Sequence, residues 1–141
     1  MPEIATGSQE LAVELEKLHQ VRLRVHRWDV RPFIEGYTKV RTQEGALVPF
    51  RYRRPNIEMD AAFRSGAHVL HQNKPRKGFA STHYMYTIGT LAHEIPGFQA
   101  LVLAEDVATV ENVLAILDTF ENQMAPIAKR PKYVWQTMKR G

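Results

Sequence analysis

The segment from Ala67 to Ala104 sets the tightest limits on how this chain can fold. It opens with a short apolar run, His68 to His71, and passes into a basic turn holding Lys74, Arg76, Lys77 and Gly78. Ser81 and Thr82 then open a helical pattern that runs to Glu94, with Met85, Ile88, Leu91 and Ala92 at helical spacing. After the Pro96-Gly97 break, Gln99–Leu103 reads as a buried strand closed by Glu105 and Asp106. Strand, loop, helix, strand is a βαβ unit, which can set a phosphate at a helix N-terminus. The expected fold class is therefore α/β: a small parallel sheet with a P-loop-like strand-loop-helix, preceded by an N-terminal helix and a β-hairpin.

The 141 residues suit one domain, and 44% hydrophobic residues suffice for a core. No apolar run approaches the roughly 18 to 20 residues of a membrane span. The first residues show no signal-peptide pattern, so the expected compartment is the cytoplasm. Without cysteine there is no disulfide, thiolate chemistry or Cys-ligated zinc. The net charge is +4, and nine of the basic residues fall between Arg22 and Arg54. Three more lie in the glycine loop and five between Lys129 and Arg140. Such clustering suits a polyanion such as nucleic acid or nucleotide phosphates, and equally a solvated basic surface.

Residues 1–30 form the expected N-terminal helical segment. Residues 1–7 read as a loose end and Ser8 as an N-cap, with Leu11, Leu15, Leu18 and Val25 on one face. Residues 31–66 hold a short helix at Phe33–Lys39, then a hairpin of Lys39–Thr42 and Ala46–Phe50 around Gly45. A basic link, Arg51 to Pro55, leads to a helix Ile57–Ser65 capped by Asn56 and stopped by Gly66. Residues 67–122 complete the P-loop-like unit with a helix over Val107–Asn122, and residues 123–141 form a basic tail.

A phosphate loop needs inward N–H groups, a cation and a hydroxyl for Mg²⁺. Here Gly78, the cations Lys74, Arg76 and Lys77, and the hydroxyls Ser81 and Thr82 supply a reduced version. The pattern departs from G-x-x-x-x-G-K-[ST] in lacking a first glycine and a lysine just before the hydroxyls. His68 and His71 would face opposite sides of a strand, and His83 and His93 are too far apart on one helix to share a metal. No G-x-S-x-G elbow is present. Arg51, Arg53, Arg54, Lys129, Arg130 and Lys132 are the candidate nucleic-acid contacts.

The run Lys74-Pro75-Arg76-Lys77-Gly78-Phe79-Ala80-Ser81-Thr82 resembles the variant phosphate loop Lys-Ala-Arg-Gln-Leu-Gly-Phe-Ser-Thr of large terminase subunits, the motors that package DNA into phage heads. Arg41-Thr-Gln-Glu-Gly45 and Ala46-Leu47-Val48-Pro49-Phe50-Arg51 are similar to that family's R-T-K-D-G-x-L-V-P-F-R segment. Asn56 stands at the place of its adenine-contacting glutamine, and Pro96 to Asp106 looks like its second core strand. The likeness spans Phe33 to Tyr133. It implies an ATP- and Mg²⁺-binding module in which Asn56 meets adenine, Lys74, Arg76, Lys77 and Gly78 hold phosphates, and Ser81 or Thr82 meets Mg²⁺, with Ser81 as the metal residue.

Several departures limit that implication. The family's acidic pair and nuclease domain have no counterpart here, Asn56 is one methylene shorter than glutamine, and the loop glycine is shifted by one residue. No catalytic residue is assigned, and hydrolysis by the family mechanism is not expected of this chain alone. DNA, or another chain supplying the missing motor elements, is the expected partner, and an open sheet edge would allow a homo-oligomer. The alternative is a non-enzymatic binding or inhibitor protein that uses the basic surface to engage nucleic acid or an acidic protein.

Overall fold

A computed structural model describes residues 2–42, 44–66 and 80–130. Five helices and one hairpin follow in order: α1 (Pro2–Val25), α2 (Arg31–Tyr37), β1 (Lys39–Arg41), β2 (Leu47–Pro49), α3 (Arg54–Arg64), α4 (Ala80–Glu94) and α5 (Val107–Asn122). A 3₁₀ turn at Pro126–Ala128 ends the described chain.

This arrangement corrects the expected α/β class. Among the described residues the single sheet is the antiparallel pair β1–β2, in the register Lys39↔Pro49, Val40↔Val48 and Arg41↔Leu47. No parallel sheet is present among them. Gln99–Leu103 is neither a strand nor buried: Leu101 is 74% and Leu103 82% exposed. Apolarity suits a run to burial, but only a neighbouring ladder makes it a strand. In place of a sheet, α4 packs directly against α5. The other expected strand, His68–His71, lies outside the described residues, as does the loop with Lys74, Arg76, Lys77 and Gly78.

The helices follow from local signals. Pro2 begins α1 where its missing N–H would have had no partner, so the expected loose end is helical and Ser8 lies inside the helix. Leu18 and Val25 are buried from α1, whereas Leu11 and Leu15, earlier on the same stripe, are exposed. The turn after α1 is a Schellman closure, with Trp28 N donating to Val25 O at 2.9 Å and Asp29 N to Arg24 O at 3.0 Å. Trp28 takes the left-handed position, φ 68°, that glycine usually fills. The short helix sits at Arg31–Tyr37, two residues earlier than Phe33–Lys39, because Pro32 suits a first turn. Gly45, at φ 86°, lets the hairpin reverse, with Thr42 N donating to Ala46 O at 2.8 Å. Asp106 caps α5 by accepting from Thr109 N at 2.7 Å.

The core gathers around α4. Tyr86 is fully buried among Phe50 and Phe120, with ring centroids at 5.4 and 5.2 Å. Phe33, Ile34, Val25, Val30, Leu18 and Leu91 complete it from α1, α2 and α4. Tyr86 donates its hydroxyl to Lys39 O, tying α4 to the hairpin. The start of the expected basic tail also belongs to the core, since Met124 and Ala128 are buried and Ala125 N donates to Tyr37 O at 2.9 Å.

Candidate functional site

Two polar clusters interrupt this core. The first joins the basic link after β2 to the first turns of α4. Tyr52 is buried between the exposed Arg51 and Arg53, and its hydroxyl shares a hydrogen bond of 3.2 Å with His83 Nε2. The rings meet edge to face at 4.9 Å. Burial pushes the His83 imidazole down to about 4, so it stands neutral near pH 7. Burial pushes the Tyr52 phenol up, with the charges of Asp60 and Glu35 adding to it. Arg31 lies over the Tyr52 ring at 5.2 Å and pairs with Glu35, which accepts the Tyr52 N–H at 3.2 Å.

Asp60 on α3 completes this cluster. It is 6% exposed, and its Oδ1 has no hydrogen-bond partner. Burial, then the charge of Asp29, raises its carboxyl to about 6, against the opposing pull of Arg64 and Arg31. A buried carboxylate without a donor is costly, so this group is held ready to be protonated.

The second cluster closes the far end of α4. Glu94 accepts from Arg22 at 3.1 Å and from Arg130 at 2.9 Å. His93 Nδ1 lies 2.9 Å from the Glu94 carboxylate, and His93 Nε2 receives the Arg130 N–H at 3.3 Å. A backbone N–H can only donate, so Nε2 accepts and Nδ1 carries the proton toward Glu94. Burial pushes the Glu94 carboxyl up, but the donors His93, Arg130 and Arg22 together outweigh it and hold it at about 2. The two buried histidines therefore serve different ends of one helix, as their ten-residue spacing predicted.

The residues expected at a nucleotide site divide between the described and undescribed chain. Ser81 and Thr82 stand half-buried in the first turn of α4, directly before His83. Asn56 is buried at the third position of α3, which starts at Arg54, so it does not precede the helix as expected. Its Oδ1 accepts from Arg53 N at 2.9 Å, closing a capping box. Among the described residues no group of three or more His, Asp or Glu could hold a metal ion.

The expected nucleic-acid contacts take different roles. Arg51 donates to Glu35 O at 2.7 Å and Phe50 O at 3.2 Å. Arg53 is the N-cap of α3, and Arg54 pairs with Glu58 at 3.0 Å with its side chain 90% exposed. Arg130 belongs to the Glu94 cluster, and Lys129 reaches Asn122 O at 3.5 Å. Lys132 lies outside the described residues. Sequence reasoning missed Tyr52, Asp60 and Glu94. A tyrosine centred in a run of arginines signals Tyr52, since alternation along an extended link sends one side chain inward and its neighbours out.

Comparison with family models, curated proteins and solved structures gives no match. Among the described residues no helix is long and apolar enough to cross a membrane.

Proposed function

We propose that this chain is a non-hydrolytic binding module for nucleic acid, engaging the phosphate backbone through Arg51, Arg53 and Arg54. One observation carries the reading: Tyr52 is anchored to His83 in the first turn of α4, and its neighbours Arg51 and Arg53 are exposed. Cations fixed in this way lose less freedom on meeting phosphate than cations on a free tail. The helix start adds N–H groups and the positive end of its dipole. The terminase-like Arg41–Arg51 hairpin supports a role in DNA packaging, with another chain supplying the acidic pair that hydrolysis needs.

A nucleotide is the second reading, favoured by Ser81 and Thr82 in that same first turn. The terminase resemblance assigns the phosphates to Lys74, Arg76, Lys77 and Gly78, whereas Asn56 is buried with its Oδ1 in the α3 capping box and takes no part in this reading.

Titration of a fluorescent DNA oligonucleotide at several salt concentrations tests the first reading. Affinity should fall steeply with salt, and Arg54→Ala should lower the slope of log K against log salt by about one while leaving the fold intact. Binding that ignores salt, or no binding, rejects it. Calorimetry with Mg²⁺-ATP tests the second reading: saturable binding lost in Arg76→Ala supports it, and no heat at millimolar nucleotide removes it.

A further inference from the structure

We propose that a second copy of this chain pairs along residues 99–104 as an antiparallel strand, on a two-fold axis through Val102. Leu101 and Leu103 are the most exposed large hydrophobic residues described, at 74% and 82%, and Val102 between them is half-buried. Gln99, Ala100 and Ala104 are exposed as well, so all of this run except Val102 is presented to solvent. None of Gln99–Ala104 makes a backbone hydrogen bond with a described residue. No proline interrupts residues 99–105, so every N–H there can join a ladder. An exposed apolar segment whose backbone groups have no ladder partner among the described residues is a template for another chain.

The sequence names the occupant. Ala100-Leu101-Val102-Leu103-Ala104 reads the same in both directions. An antiparallel pair about Val102 sets Leu101 against the partner's Leu103, and Ala100 against the partner's Ala104. A two-fold interface requires this self-complementarity. Charge selects the direction as well. The antiparallel register sets Glu105 against the partner's Gln99, and Asp106 against the partner's Phe98. A parallel, in-register pair would set both carboxylates against their own copies, which is unfavourable. The paired stretch is roughly 20 Å long at the usual rise of a strand. It falls short of the roughly 800 Å² per partner of a standard interface, so the dimer should be weak and concentration-dependent.

Sedimentation equilibrium of the full chain from micromolar to millimolar concentration tests this. A reversible monomer–dimer equilibrium is expected. Leu103→Glu, at an exposed position, should weaken it by more than about tenfold. The double variant L101K/L103E should recover association, because antiparallel pairing sets each new lysine against the partner's new glutamate. A wild-type chain monomeric at every concentration, a dimer indifferent to Leu103→Glu, or a double variant no better than the single one would each overturn the proposal.

Discussion

Arg22 on α1 and Glu94 at the end of α4 are 72 residues apart in the chain and 3.1 Å apart in space. The Glu94 carboxylate is fully buried, so its charge persists only because Arg22, Arg130 and His93 all donate to it. Removing that charge leaves two guanidinium groups partly desolvated and unpaired. Glu94→Gln should cost about 2–3 kcal/mol at pH 7, below the full value for a buried pair because Arg130 is half-exposed. The folded carboxyl is depressed to about 2 from an ordinary value of 4.5. Its stabilisation is therefore complete above that ordinary value and lost as pH falls toward 2. Urea unfolding should show the gap between wild type and Glu94→Gln closing from pH 5 to pH 2. A gap that stays constant over that range would contradict this account.

Gly89 lies where α4 packs against Phe120 of α5. A Cβ built there meets the Phe120 ring at 3.0 Å, and Phe120 is fully buried with Tyr86 edge-on against it. Alanine gains about 1 kcal/mol of helix propensity over glycine. Forcing a buried ring aside costs typically 1–3 kcal/mol. Gly89→Ala should therefore be net destabilising by about 1 kcal/mol, whereas Gly36→Ala, where a Cβ meets nothing within 4 Å, should be neutral or stabilising. Thermal denaturation of the pair separates the two effects, and a stabilised Gly89→Ala would show that the ring yields freely.

What the sequence disclosed followed periodicity. The helix from Val107 to Asn122 and the hairpin around Gly45 stand where apolar spacing and turn residues placed them. The difference at Gln99–Leu103 has a physical cause: an apolar run this short has no period that separates a buried strand from an exposed segment, and its neighbours decide. The site was less legible still. Asp60 and Glu94 look like surface acids in the sequence, and their burial arises from packing against segments far away in the chain. The expected phosphate loop falls outside the described residues. The described chain adds that its first hydroxyls open a helix, as their spacing predicted.

Trp28 was also hidden, because glycine is the residue that announces a left-handed helix end. Its φ of 68° costs about 1 kcal/mol. The edge-to-face contact with Phe63, at 5.7 Å, offsets a similar amount. Trp28→Gly loses the contact and relieves the strain, so its stability should lie within about 1 kcal/mol of wild type. Trp28→Ala loses the contact and keeps the strain, and should be less stable than Trp28→Gly by about 1 kcal/mol. Chemical denaturation of the three proteins checks the order, and an alanine variant equal to the glycine variant would mean the turn has relaxed.

Asp60 ties the candidate site to pH. Its folded carboxyl is raised to about 6 from 3.8, so the folded chain binds the extra proton between those values. By linkage, stability falls as pH rises through that window, and the full cost of the buried charge is present above it. Asp60→Asn keeps the shape and removes the charge. It should be more stable than wild type by about 1–2 kcal/mol at pH 8, with the difference vanishing near pH 4. His83 moves in the opposite sense, its folded value near 4 lying below the ordinary 6.5, but it is common to both proteins and cancels in the difference. The decisive measurement is the difference in urea midpoint at pH 8 and pH 4. An equal difference at both would mean that Asp60 is ionised at neither or at both, and that its folded carboxyl is not raised into this window.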